Sequence, residues 1–319
     1  MLQYLIRRLL IAIPSLLGIS VVLFVVLALA PGDPFGELAT NPAVPPEVRQ
    51  ALRASLGLDD PIHLRYVRWL WAMLRGEWGY SFVSRIPVDE LILQRLPTTV
   101  AVIGASQVLA LAVALPVGVA AATRPYSLFD QVANTLAFVG FSLPTFFTGL
   151  LLILVFSIHL DWLPFVYSTQ INATGWAWWW AEIKQSIMPV AVLGLFQGAA
   201  WTRFVRSAVL DVVRLDHVTT ARAKGLPERR VTLRHVVRNA MIPVVTLVAL
   251  QMPTVFGGAI VTEQIFRIPG IGSLLITAIL ANDTPVIMAV TFVFAGLVIL
   301  FNLIADLLYG WLDPRISYR

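Results

Sequence analysis

Between two long apolar segments lies a run dense in charge, RFVRSAVLDVVRLDHVTTARAKGLPERRVTLRHVVRNAMIP, from Arg203 to Pro243. Nine of the 23 Lys and Arg fall between Arg203 and Arg238, against three acids, Asp211, Asp216 and Glu228. Cations so concentrated beside apolar segments mark a cytoplasmic face. Val218 to Lys224 is predicted to be a short helix, with Ala221 and Ala223 as strong helix formers. Gly225 can end it in the left-handed conformation, and Lys224 suits the negative end of the helix dipole. Pro227 and Glu228 open a second helix. There Arg230, Arg234 and Arg238 recur at i, i+4, i+8, and Leu233, Val236, Val237, Ala240 and Met241 make the other face. A helix, a tight turn and a second helix form a docking surface. The simpler reading, a basic loop against anionic lipid, needs no ordered Ala-x-Ala-x-Gly.

The second set of chemical groups is sparse and lies in apolar surroundings: Gln107, Asn134, Gln197, Gln251, Asn302 and Asp306. In lipid such groups face protein or a cavity. Gln107, Gln197 and Gln251 fall on three different predicted spans. They can line a polar path, or hydrogen-bond between helices; both readings stand. Asp306 and Glu263 lie near span ends and are read as structural anchors.

The elements that position these groups follow from composition. The chain has 319 residues, of which 58% are hydrophobic and 13% charged, and its mean hydropathy is +0.80. A water-soluble surface needs more charge, so most of the chain faces lipid or packed helices. The sequence pI of about 9.9 reflects basic segments beside spans, not a nucleic-acid site. There are no cysteines, which excludes disulfides and Cys-ligated metals. Six spans are predicted: Leu9 to Ala30, Thr98 to Ala122, Val132 to Ile158 with a kink at Pro144, Ile187 to Val209, Met241 to Thr262, and Val286 to Leu308. Gly257 and Gly258 are expected at a close helix contact, and Trp176 to Trp180 in an interfacial aromatic belt. The first span is read as uncleaved, and both termini as cytoplasmic.

Residues 31–97 form the sizeable polar region. PGDP and PAVPP read as loops, and Glu47 to Leu56 as a helix stopped by Gly57. A further helix is capped by Asp59, Asp60 and Pro61 and carries an apolar stripe of Ile62, Tyr66, Trp69, Leu70 and Met73. GEWGYS reads as a turn. The expected organisation is a cytoplasmic N-terminus and first span (1–30), a small helical periplasmic insertion (31–97), and a core of five spans (98–319) holding the loop 210–240.

TARAKGLPERR, from Thr220 to Arg230, resembles the "EAA" loop of ABC-importer permeases, and His235 and RNAMIP continue the likeness. It is most similar to the peptide/nickel branch, where Ala-Arg-Ala-Lys-Gly-Leu is typical. Thr219, Thr220 and Ala221 stand where the general motif has Glu-Ala-Ala, and His217 stands where Tyr is common. Further likeness to the B-type subunit of dipeptide and oligopeptide importers lies in LLIAIPSLLG, PGDP, Glu263 with Phe266 and PGIG, DTP at Asp283 to Pro285, and LDPR at Leu312 to Arg315. The resemblance covers essentially the whole chain. It implies an all-α integral membrane protein of type I importer architecture with six transmembrane helices. In that family the short helix enters a cleft of the ATPase and couples hydrolysis to transport. The expected coupling residues are Asp216, Thr220, Ala221, Arg222, Ala223, Lys224, Gly225, Glu228 and Arg229, with Arg222 and Lys224 meeting acids on the ATPase.

The implied partners are a second homologous permease, two P-loop ATPase subunits, an extracytoplasmic substrate-binding protein and membrane lipid, but no nucleic acid. ATP and Mg belong to the partner subunits, and this chain carries no cofactor. Both of its lysines, Lys184 and Lys224, lack the Gly-Lys-Ser/Thr context of a phosphate loop. The four histidines show no metal-ligand spacing, and there is no nucleophile elbow. No catalytic residue is expected. A nickel or glutathione importer of the same branch is the alternative cargo assignment. A gradient-driven transporter would want an acid near the bilayer midplane, and none is evident.

Overall fold

A computed structural model describes residues 2–29 and 60–312. The predicted helix Glu47 to Leu56, the PGDP and PAVPP runs and all but the first residue of LDPR lie outside them. The regular elements among the described residues are helical, with one isolated antiparallel bridge between Tyr80 and Pro87. In order they are α1 (Leu2–Leu29), α2 (Ile62–Arg75), α3 (Val88–Thr123), α4 (Leu128–Ser142), α5 (Thr145–Leu152) with a π-helical turn Ile153–His159, α6 (Trp176–Val213), α7 (Asp216–Ala223), α8 (Glu228–Arg230) with a π-helical segment Val231–Val237, α9 (Arg238–Phe266), α10 (Ile271–Leu280) and α11 (Thr284–Leu312).

Among the described residues four stretches are long and apolar enough to cross a membrane: Arg7–Leu29, Val88–Thr123, Glu228–Gln251 and Thr284–Ile304. The number rises to six if two broken helix pairs each count as one span. One of these pairs corrects the expected third span. Instead of a kinked rod, α4 and α5 meet at 102°. Pro144 supplies no N–H and disfavours helix at the residue before it. Leu143 is accordingly extended, with φ −83° and ψ 129°. The expected fourth span lies inside α6, whose 38 residues extend about 57 Å. Its exposed first turns are the tryptophans from Trp176. Gln197, Arg203 and Arg206 make it more polar and more charged, and α6 is not among those four stretches.

The chain divides into two compact units. One is Met1–Gln3, Thr98–Pro269 and Leu300–Arg319; the other is Tyr4–Pro97 and Gly270–Ile299. In the first, α3 and α6 approach through glycine. A Cβ on Gly194 would lie 2.9 Å from the Ser106 carbonyl oxygen, and one on Gly118 would lie 2.8 Å from Val205. The expected close contact at Gly257 is absent: a Cβ there meets nothing within 4 Å, and at Gly258 only Leu193 at an ordinary 3.5 Å. Small residues that draw helices together are thus on α3 and α6, not on α9. Ala110, Trp201 and Val205 continue this core toward Val218, Val231 and Val236.

The start of α4 is tied to α6 by an ion pair. Asp130, buried, accepts from Arg206 Nε at 2.5 Å and Nη2 at 2.7 Å. The same carboxylate accepts from Tyr126 N–H and Asn134 Nδ2. Four donors around one carboxylate offset much of its desolvation.

In the second unit α2 packs Met73, Tyr66 and Trp69 against Phe24 of α1 and Phe292 of α11. Ile62, expected in that stripe, is exposed at the helix start. The expected capping by Asp60 is replaced by an ion pair with Arg68, and Pro61 caps α2 with no side-chain bond. Asp283 of the DTP motif is buried. It accepts from the Ser81 hydroxyl and from Phe82 N–H at 3.1 Å, which fixes the turn that follows GEWGY.

Candidate functional site

The basic loop folds as an eight-residue helix, a turn and a helical rod. α7 begins at Asp216, two residues before the predicted start, with the acid in its first turn where the dipole favours it. Val218 and Ala221, three apart, turn inward to the core, while Asp216, Thr219, Thr220, Arg222, Ala223 and Lys224 are exposed. A short amphipathic helix is thus anchored by its apolar face with the other face open.

The turn is a Schellman motif. Gly225 has φ +75°; its N–H donates to the Arg222 carbonyl at 2.9 Å, and Leu226 N–H donates to the Ala221 carbonyl at 3.4 Å. Leu226 packs on the same core as Ala221, which is the apolar contact such a cap uses. Arg222 has an intramolecular partner that sequence reasoning missed. Its Nη2 donates to Glu228 Oε1 at 2.7 Å and its Nε to Oε2 at 3.2 Å, so the exposed pair bridges the turn. His217 adds a lighter link, with Nε2 3.3 Å from the His235 carbonyl oxygen. Lys224 and Arg229 are exposed.

Pro227 precedes the first helical residue, with φ −61° and ψ 139°. The predicted second helix and fifth span are one rod. Its π-helical segment, hydrogen-bonded i to i+5 rather than i to i+4 and so wider than an α-helical turn, buries Val231 and Val236. Leu233, assigned by α-helical spacing to the apolar face, is exposed for that reason. Arg230, Arg234 and Arg238 are exposed.

Of the three candidate path residues, two are brought together and one is not. Gln251 Oε1 on α9 accepts from Gln197 Nε2 on α6 at 2.6 Å and from Trp201 Nε1 at 2.7 Å. Gln107 on α3 is buried apart from them. Its Nε2 reaches Ser106 Oγ at 3.3 Å and its Oε1 has no partner among the described residues. Glu263 is buried near the end of α9 and accepts from Thr99 of α3 at 2.6 Å, consistent with an anchor between helices. Ahead of α6, Tyr167 donates to Glu182 of that helix, and burial, then Glu182 as acceptor and negative neighbour, push its phenol up to about 12. Among the described residues no group of three or more His, Cys, Asp or Glu stands together to hold a metal.

A scaffold of several long apolar helices presenting a small anchored helix beside them defines a multi-pass integral membrane protein. The chain belongs to the family of binding-protein-dependent transport system inner membrane components, matched over residues 114–318; the N-terminal component of the same systems matches residues 1–103. It is 42% identical over 323 residues to the oligopeptide transport system permease protein AppB of Bacillus subtilis (strain 168), and 39% identical over 338 residues to the dipeptide transport system permease protein DppB of Escherichia coli (strain K12). It is 40% identical over 319 residues to the glutathione transport system permease protein GsiC of Salmonella paratyphi A (strain ATCC 9150 / SARB42). Each match covers all of both chains. The chain is therefore the permease subunit of an ABC importer, a multi-pass inner-membrane protein and not itself an enzyme.

Proposed function

We propose that this permease forms half of a translocation path for di- or oligopeptides beside a second homologous permease. Two P-loop ATPase subunits bind ATP and Mg at its cytoplasmic face, and an extracytoplasmic binding protein delivers the cargo. Peptide cargo is supported by the names of the relatives AppB and DppB; the equal likeness to GsiC makes glutathione, itself a peptide thiol, the second reading. Both termini and the loop 210–240 face the cytoplasm and residues 31–97 the outside, a topology that rests on the charge of Arg203 to Arg238.

The observation that carries the coupling role is the anchored, half-open α7. Val218 and Ala221 fix it to the permease core, so force on its exposed face reaches α6 and α9. Ala223, Thr220 and Lys224 present that face to the ATPase. Gly225 turns the chain away, and Arg222, Glu228 and Arg229 shape the rim. In this reading Arg222 first meets Glu228, so a pair with an ATPase acid requires exchange of partners. Replacing Ala223 by Cys in this Cys-free chain, with a cysteine in the ATPase cleft, should give an ATP-sensitive cross-link and peptide uptake that stops on oxidation. A transporter that couples normally after α7 is replaced by a Gly/Ser linker sinks the reading.

A further inference from the structure

We propose that Gln197 and Gln251 form an amide-reading pair that recognises the backbone N–H and C=O of one residue of the cargo irrespective of its side chain. This rests on the reading of the path given above. Trp201 sets the direction of both hydrogen bonds. An indole N–H can only donate, so the Gln251 atom 2.7 Å from it must be the carbonyl oxygen. That fixes the orientation of the Gln251 amide. The Gln197 atom 2.6 Å from the same oxygen must then be its NH2 nitrogen.

The two amides are therefore locked head to tail, and the groups left over are determined. Gln251 keeps an Nε2 with two N–H donors, and Gln197 keeps an Oε1 acceptor; neither has a partner among the described residues. Both side chains are half-buried, while Trp201, which sets the orientation, is fully buried. One donor and one acceptor are the complement of a single residue's own N–H and C=O, which face the same side of an extended chain, whereas those of one trans peptide group face opposite sides. Side chains of a mixed peptide pool differ, but this pattern repeats at each residue other than proline. A pair bolted between α6 and α9 also changes its geometry whenever those helices move, so recognition is tied to the state of the path.

The test uses the complete transporter, reconstituted with its partner permease, ATPases and binding protein. The probes are trialanine and trialanine methylated on a central backbone nitrogen, each at a concentration that saturates the binding protein. Loss of the N–H to Gln197 should slow the methylated peptide roughly tenfold in the native transporter. Gln197→Met should remove that difference. Gln251→Glu keeps the oxygen that accepts from Trp201 and Gln197 but loses the outward donor. It should slow both peptides roughly fivefold and keep the difference between them. If Gln197→Met slows both peptides equally and Gln251→Glu changes neither, the pair is only a bolt between helices and the proposal is overturned. Should Gln197→Met fail to assemble, unchanged uptake in Gln251→Glu is sufficient to overturn it. The path reading has its own control, Gln197→Cys. Labelling by a water-soluble thiol reagent during turnover with no amide discrimination leaves the path and removes the amide reading. No labelling in any nucleotide state removes both.

Discussion

Substituting Gly225 separates the shape of the turn from its contacts. Its φ of +75° belongs to the left-handed region, and a Cβ there would meet no atom within 4 Å. The cost of a side chain is thus conformational alone, about 1–2 kcal/mol for Ala and more for β-branched Val. Asn visits this region readily and should cost less. A cost of that size lowers the population of the formed turn by a factor of about 5–30. α7 has eight residues, too few to hold itself without the two cap bonds and the Val218–Ala221 anchor. The spans, whose insertion depends on apolar length, are untouched. Membrane level, peptide uptake and ATPase activity stimulated by loaded binding protein should be measured on the assembled transporter. The expected order of uptake is Gly, Asn, Ala, Val at constant membrane level, with stimulated ATPase activity falling in parallel. Full uptake by Gly225→Val at normal level refutes the coupling role. An Asn variant as poor as Val refutes the backbone argument, since then side-chain size and not left-handed tolerance decides.

Four further outcomes are expected. Arg206→Ala strands the buried Asp130 carboxylate and should lower stability in detergent by about 3 kcal/mol, whereas the pair Asp130→Asn with Arg206→Gln should recover most of the loss; thermal unfolding measures both. Gly194→Ala forces a Cβ to 2.9 Å from the Ser106 carbonyl and should destabilise by about 1–3 kcal/mol, while Gly257→Ala, facing open space, should be neutral or stabilising. Cysteines at Ser84 and Glu228 should be reached by an impermeant reagent from outside and from inside respectively; reaction at Glu228→Cys in intact cells contradicts the topology. The Tyr167 phenol, raised to about 12, contributes stability fully present below its ordinary pKa near 10 and lost as pH rises through about 12. The tyrosinate absorbance that Tyr167→Phe removes should therefore appear only near pH 12.

Much of this protein is written locally. Apolar length sets out the helices, and the run Thr220 to Glu228 already contains the helix formers, the left-handed glycine and the following proline, because each acts on its own few residues of backbone. Tertiary structure decided what depends on partners distant in sequence. Pro144 announces a break, but local propensity carries no angle, so a kink and a 102° bend read alike. Gly257 and Gly258 looked like a contact and Gly194 did not, since a glycine's composition says nothing of what faces it. Leu233 was misplaced because a π-helical repeat mimics no α-helical spacing. Arg222 found Glu228 across the turn, and Gln251 met Gln197 and Trp201 from another helix. Hydrogen-bond direction among those three follows from indole chemistry, but only packing could bring an indole to that amide.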